Sequence, residues 1–394
     1  MRRLLLGLSL LACVQLVSGC AWFKRLVEGT ETLEGKKVTA LRLAAADGSA
    51  EVCAGAPIQL QVTADIEGQE QPMTTWAYGP GGKTEKKGHL AFEGFQFSSN
   101  FGSIKAEDGT LVVPNTGLEL LGQTADVQVA SEHAPGVTGQ CSLAIHFGCG
   151  VVLNYGGTPG QPGAVGNPGQ SGADGRSESS SGSYARPGGH GQSGTDGGHG
   201  GRGGPGGNGP SLIVDVAKIQ AGDTQLVLVQ VTNQSAGNQT RTALVDPARG
   251  GKVTVLADGG AGGSGGSGGI GGRGGHGGTG APAGDSGDGG NGGNGGGGGD
   301  GGNGGTVTLR YDQNHTDLVE FIEIQNRGGA AGHAGSAGPG GNGPPAFSGA
   351  RQGRSGQMGQ QGHPGRPGNG GPPVTPQPAP RDQMFPDASG LNFI

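Results

Sequence analysis

The side chains able to do chemistry are few and scattered. His89, His133 and His146 lack the short separations that bring two imidazoles onto one metal. His190, His199 and His276 recur in the X slot of Gly-Gly-X triplets, in company with Arg202, Arg273, Asn291 and Asp300. A slot that returns once per triplet places these groups on an outward, solvated face rather than around an ion. The glycine strings lack the Gly-Lys-Ser/Thr ending that supplies a phosphate loop with its lysine and metal-binding hydroxyl. No motif sets a histidine or carboxylate beside a candidate nucleophile, so covalent catalysis is not expected. The reading is a chain that is not an enzyme, with no cofactor and no metal. Its net charge of −6 over 394 residues gives no nucleic-acid footprint.

One cysteine stands in a different context. Arg2 and Arg3 open the chain, residues 4–17 form an apolar run too short to cross a bilayer, and Val17-Ser18-Gly19-Cys20 follows. This order resembles the lipobox of bacterial lipoproteins: a branched apolar residue, two small residues, then the cysteine whose thiol takes the lipid. The resemblance implies a signal peptide over 1–19, lipidation of Cys20 and a tether over 20–35. Several acyl chains, at ~0.8 kcal/mol per buried methylene, give stable anchoring. Trp22 and Phe23 would then sit at the interface, with Lys24 and Arg25 near the headgroups. Ala21, in place of Asp, implies the outer membrane on the same resemblance. The expected partner is a membrane, and the expected location is the bacterial cell envelope, held by the lipid.

Cys13 would leave with such a leader, so Cys53, Cys141 and Cys149 remain. In an oxidising compartment one pair closes. Cys53–Cys141 is the expected disulfide, because both residues lie beside strands of one domain; Cys141–Cys149 is the competing pair.

The elements that must position these groups change character near residue 150. Before it, apolar and polar residues alternate as in half-buried strands; after it, glycine blocks dominate, and glycine supplies 94 of the 394 residues. In the first part, 36–150, strand patterns cover 38–44, 58–66, 74–78, 90–97, 110–113, 124–130 and 141–147. Turn signals such as Asp47-Gly48 and Asp108-Gly109 separate them. That density of short strands predicts a β-sandwich. The segment resembles bacterial Ig-like domains in Ala54-Gly55-Ala56-Pro57-Ile58-Gln59-Leu60, in Trp76 on the next strand, and in Gly102-Ser103-Ile104 followed by Asp108-Gly109-Thr110-Leu111-Val112-Val113-Pro114. The resemblance implies a spacer or binding module. Trp76 is expected in the core.

In the second part, 151–372, glycine recurs once per triplet in three blocks. Such a period implies a helix of the polyproline II type. The stretches 157–175 and 362–371 carry proline as collagen does, whereas the block 259–305 has Pro282 alone, in its break, and is mostly Gly-Gly-X. Each block is broken near its middle, at 178–187, at Ala281-Pro282-Ala283 and at 344–352. Strand patterns at 151–155, 212–219, 225–231, 253–256, 306–311 and 319–324 bracket the blocks. The expectation is three polyglycine-II hairpins rising from a β base, with block 259–305 central and the single-glycine arms 157–175 and 353–371 peripheral. The fold class is therefore mainly β, with essentially no α-helix outside the leader. A Pro-rich extended tail, 373–394, closes the chain.

The repeat resembles the polyglycine-II sandwiches of Gly-rich antifreeze proteins and of phage tail-tip adhesins, in repeat type only. In the adhesins the loops between helices bind receptor. Here the corresponding breaks hold Tyr184, Arg186, Phe347 and Arg351, residue types suited to a binding tip. The functional expectation is a surface-anchored lipoprotein with a structural or adhesive Gly-rich head, engaging a surface receptor, glycan or matrix. Two alternatives stand beside it: a glycan or ice binder using the repeat face, and a collagen-like stalk that forms homotrimers.

Overall fold

The computed structural model describes residues 29–78, 86–115, 117–178, 186–386 and 390–394. The chain is mainly β. Its first strands are β1 (Val38–Ala45), β2 (Glu51–Cys53), β3 (Pro57–Ile66), β4 (Met73–Thr74), β5 (Phe95–Ser99), β6 (Ser103–Lys105), β7 (Thr110–Val112), β8 (Thr124–Ser131) and β9 (Thr138–His146). They form two sheets, ordered β1-β3-β7-β6 with β4 on β3, and β2-β9-β8-β5. Alternation decides the faces: Leu60, Val62 and Ala64 of β3 are fully buried, while Gln59, Gln61 and Thr63 between them are not. Val127, Val129 and Leu143 meet them from the opposite sheet in one apolar cluster. Trp76 is buried, edge-on to Phe92 at 5.0 Å. The strand expected over 90–97 begins instead as a 3-10 turn, Phe92–Gly94, which puts the Phe92 ring in the core.

The disulfide corrects the expected pairing. Cys53 bonds Cys149, with their Cα atoms 6.1 Å apart, and Cys141 is a free thiol. Register gives the reason. β2 runs parallel to β9 with Cys53 opposite His146, so the chain just beyond His146 passes close to Cys53. Cys141 lies further back along β9, opposite Val127 of β8. At ~3.3 Å per residue that displacement exceeds the reach of a disulfide. Burial, then the nearby Asp126, raises the Cys141 thiol above its ordinary pKa, which disfavours the reactive thiolate.

The second part opens with β10 (Val151–Asn154). It continues through β11 (Ser211–Ala221), β12 (Thr224–Asn233), β13 (Gln239–Val245), β14 (Val253–Leu256), β15 (Thr306–Asp312), β16 (Ile322–Gln325) and β17 (Gln377–Ala379). One sheet is β10-β14-β16, all parallel; the other is β13-β12-β11-β15-β17. Val151, Leu153, Val253 and Val255 from the first pack against Leu212, Val214, Val216, Val307 and Leu309 from the second. Ala217, Ile219, Leu226, Leu228 and Leu244 lie instead in the cluster that fills the N-terminal sandwich. The Asn115 side chain seals the junction, donating to the Leu244 carbonyl at 2.7 Å and accepting the Leu244 N–H at 3.0 Å.

Each strand at the rim of this base runs straight into a glycine arm. Numbering the arms in chain order gives arm 1 (157–178), arm 2 (188–209), arm 3 (258–279), arm 4 (284–305), arm 5 (327–343) and arm 6 (351–371). Arms 1, 3 and 5 extend β10, β14 and β16; arms 2, 4 and 6 connect to β11, β15 and β17. The two sheets thus continue as two layers of polyglycine II. Within a layer the arms are parallel, as in Gly160 N–H to Ala261 O and Gly262 N–H to Ala330 O, both 2.8 Å. Between layers they are antiparallel and zigzag. Gly368 donates to Gly329, Gly329 to Gly302, Gly302 to Gly260, Gly260 to Gly207 and Gly207 to Thr158, at 2.8–2.9 Å. One hydrogen-bond chain therefore crosses all the arms, and the pattern repeats one triplet further along.

Glycine content follows the number of neighbours. Arms 3 and 4 bond four other arms each and are Gly-Gly-X; arms 1 and 6 bond two each and keep one glycine per triplet. A methyl on Gly266 would collide with the Ala164 carbonyl, and one on Gly296 with that of Gly201. Among the described residues the arms contribute no buried apolar cluster. Each net hydrogen bond, at about 1 kcal/mol, offsets the roughly 0.5–1 kcal/mol of extra entropy that a glycine loses.

The tail is extended as far as β17, which pairs in parallel with β15. It then makes a single α-turn, Arg381–Met384, and buries Met384 and Phe385 in the N-terminal core cluster. The expected extended tail is thus docked at β17, at Met384 and Phe385, and at Phe393, which bridges Ile219.

Candidate functional site

The described residues at the three breaks between arms lie together at the end of the bundle away from the strands. The Ala281 N–H reaches the Arg186 carbonyl at 3.0 Å, tying the first break to the second. Ser286 ties the second to the third: its N–H meets the Arg351 carbonyl at 3.0 Å and its hydroxyl meets Pro345 O at 2.9 Å. The structure therefore brings Arg186, Phe347 and Arg351 to one end. Phe347 is 48% exposed there, on the turn between arms 5 and 6. Tyr184, expected at the same tip, and Cys20 both lie outside the described residues.

Arg351 is not a free cation. Its guanidinium pairs with Asp288 at 2.9 Å and its backbone N–H with Asp285 at 2.7 Å. The Arg354 backbone N–H, then the Arg351 side chain, hold the Asp288 carboxyl below its ordinary pKa. The tip thus presents an aromatic ring beside a neutralised charge pair.

Below the tip the two broad faces of the bundle differ. On the face of arms 2, 4 and 6, side chains in the X slots hydrogen-bond one another's backbones. Asp196 accepts the Asn291 N–H at 2.6 Å, and Asn291 in turn accepts that of Gln357 at 2.9 Å. His199 Nδ1 accepts from Asn294 at 2.9 Å, and Asn294 accepts from Gln360 at 2.8 Å. Asn208, Asn303 and Asn369 form a further rung at 2.8 and 2.9 Å. In Gly-Gly-X the glycine N–H groups are taken by neighbouring arms, which leaves the X N–H facing outward. A short acceptor on the next arm satisfies it.

His190 and His199 project outward, as expected, but each also serves this ladder as an acceptor, His190 for the Asp285 N–H at 3.0 Å. The ladder is not among the features expected from the sequence. The usable signal was the preference for Asp, Asn, Ser and His in the X slots of arms 2 and 4. Among the described residues the opposite face has such bonds only near its ends, from Asp258, Asp174 and Ser177. Its middle carries Val165, Ser267 and Ile270.

Among the described residues, no group of three or more His, Cys, Asp or Glu side chains is placed to hold a metal. No helix among them is long and apolar enough to cross a membrane. Two cavities lie on the β base near the domain junction. One, of about 260 Å³, is lined by Glu51, His146, Asp246 and Arg249; the other, of about 180 Å³, by Lys218, Pro247, Asp317 and Phe321. Their charges are already matched, Arg249 to Glu51 at 2.7 Å and Lys218 to Asp317 at 2.6 Å. Arg249 and Lys218 accordingly hold the Glu51 and Asp317 carboxyls below their ordinary pKa. No protein-family model, curated protein or solved structure matches this chain.

Proposed function

We propose that this chain is a lipid-anchored surface protein of the bacterial envelope whose glycine-rich head presents a recognition tip. The observation that carries the reading is the gathering of Arg186, Ala281, Ser286, Pro345 and Arg351, from the three breaks between arms, at the end opposite the β base. The base adjoins the N-terminal domain, which follows the Cys20 segment in the sequence. An arm of this length spans about 65 Å at ~3.1 Å per residue. A rod of that height, braced by hydrogen bonds at every triplet, serves to hold a small surface away from a membrane. Phe347 and Arg186, with Tyr184 on the same connection as Arg186, supply the aromatic and guanidinium groups that dominate recognition surfaces. The role is structural or adhesive and requires no catalysis.

The test is adhesion of cells displaying the full chain to glycan- and matrix-coated surfaces. Phe347→Ala and Tyr184→Ala are each expected to cut retention by about tenfold, the effect of losing one anchor residue. Retention unchanged in both variants would remove the tip from the mechanism. Cys20→Ser is expected to abolish incorporation of labelled palmitate and release the chain from membranes; labelling that persists would remove the anchor.

A further inference from the structure

Away from the tip, one notch in the base has the chemistry of a ligand site. The sheet that continues as arms 2, 4 and 6 is wider than the bundle, because β12 and β13 lie beyond β11 where no arm continues them. The overhang meets the end of β10 where arm 1 begins. Asn154, Tyr155, Asn233, Gln239, Thr240 and Arg241 line the notch, whose volume is about 410 Å³. That lies within the roughly 300–1,000 Å³ typical of small-ligand pockets.

The lining holds no acid: it is an aromatic ring, amides, a hydroxyl and one cation. The Arg241 guanidinium lies over the Tyr155 ring, 5.9 Å from its centroid. Among the described residues no carboxylate pairs with Arg241, in contrast to Arg249, Arg310, Arg351 and Arg381, each bonded to an acid. The Tyr155 hydroxyl is buried and finds no hydrogen-bond partner there. Asn154 and Asn233 use their carbonyl oxygens locally, on the Gly156 and Ser235 N–H groups at 2.9 and 3.1 Å. Among the described residues no such bond engages their NH₂ groups. The notch therefore combines amide donors for hydroxyl groups, a half-buried aromatic ring, and a cation with no carboxylate partner among the described residues.

The geometry points to a binding site for an acidic saccharide, with Arg241 taking the carboxylate of a uronate residue and Asn154, Asn233, Gln239 and Thr240 taking its hydroxyls. The site is at the base of the head and does not depend on the tip reading.

Isothermal titration of the full chain in detergent micelles tests it. The probes are a glucuronate-bearing disaccharide, its neutral glucose counterpart, and inorganic sulfate. The uronate probe is expected to bind more tightly than the neutral one. Arg241→Met should weaken the uronate probe about tenfold while leaving the neutral one within about twofold, since only a charge-assisted bond is lost. Gln239→Ala, also on the exposed rim, should weaken both saccharides. Three results overturn the proposal: neither saccharide binds at millimolar concentration, Arg241→Met leaves uronate affinity unchanged, or sulfate binds as tightly as the uronate probe, which reduces the notch to an anion site. Matching thermal unfolding of the variants shows that the fold is retained.

Discussion

At the scale of single residues, Gly297 shows how closely the outward slots are specified. It occupies an X position of arm 4 whose neighbours along the arm are Asn294 and Asp300. Those two accept the backbone N–H groups of Gln360 and Arg366. Gly297 has nothing with which to accept that of His363, so the ladder is interrupted there. An added Cβ would meet only ordinary contacts, His363 O at 3.6 Å and Arg202 Cγ at 3.9 Å. Gly297→Asn is therefore expected to stabilise the protein by about 1 kcal/mol, from a new rung and a less flexible unfolded chain. Gly266→Ala, on an inward column, is expected to destabilise it by ~1–3 kcal/mol or more through backbone displacement. Denaturant unfolding of the two variants checks both signs, and equal effects would refute the column assignment.

Asp288 gives a pH dependence at the same scale. Its folded pKa is depressed, so its contribution is fully present above the ordinary carboxylate range near ~3.9 and is lost as pH falls toward the folded value. Asp288→Asn keeps an acceptor for the Arg354 N–H but loses the ion pair with Arg351. The melting temperature of the unchanged protein should exceed that of the variant at neutral pH, with the gap closing in acid. A gap independent of pH would show that the charge contributes nothing.

At the scale of elements, the arms differ in how much of their backbone is shared. Arms 3 and 4 lie between neighbours on both sides and across the layer; arms 1 and 6 are edges. Opening an edge arm breaks two sets of bonds, whereas opening a central arm breaks four. Amide hydrogen exchange should be slowest for the inward glycines of arms 3 and 4 and faster along arms 1 and 6. Uniform fast exchange through arms 3 and 4 would contradict the bundle.

The same scale explains proline placement. Pro159, Pro162 and Pro168 lie on arm 1, and Pro364 and Pro367 on arm 6, in columns where no neighbouring arm follows. Proline fixes the polyproline II angle and removes a donor that would otherwise point to solvent or to another molecule's edge.

At the scale of the whole molecule, one architectural choice runs from base to tip. A pair of β-sheets holds its strands together laterally by hydrogen bonds and its layers by side-chain packing. Where Val and Leu give way to glycine, the chain keeps the lateral bonding and replaces side-chain packing with hydrogen bonds between the layers. The β base supplies the apolar cluster that the bundle lacks, including Val151, Val214, Val255 and Leu309. The N-terminal sandwich, the inner half of β11 and β12, and the docked tail share a second cluster. The Cys53–Cys149 bond fastens the chain at that junction. The tip is thus supported by continuous structure down to the first strand.

The residues by themselves determined the period, the hairpin breaks and the order of burial among the arms. A three-residue repeat admits one helix type, and only glycine lets backbones touch, so two-glycine arms had to be central. Alternation likewise located most strands, because a half-buried sheet imposes it. Short strands such as β2 and β6 carry too few residues for alternation to register. The tertiary structure alone decided the rest. Disulfide partners depend on strand register, which placed Cys149 rather than Cys141 against Cys53. The rungs between Asp196, Asn291 and Gln357 join residues far apart in the chain, and no local pattern encodes which arms stand side by side. The notch at Tyr155 and Arg241 exists because one sheet is wider than the layer it supports, a mismatch that appears only once the strands are counted into sheets.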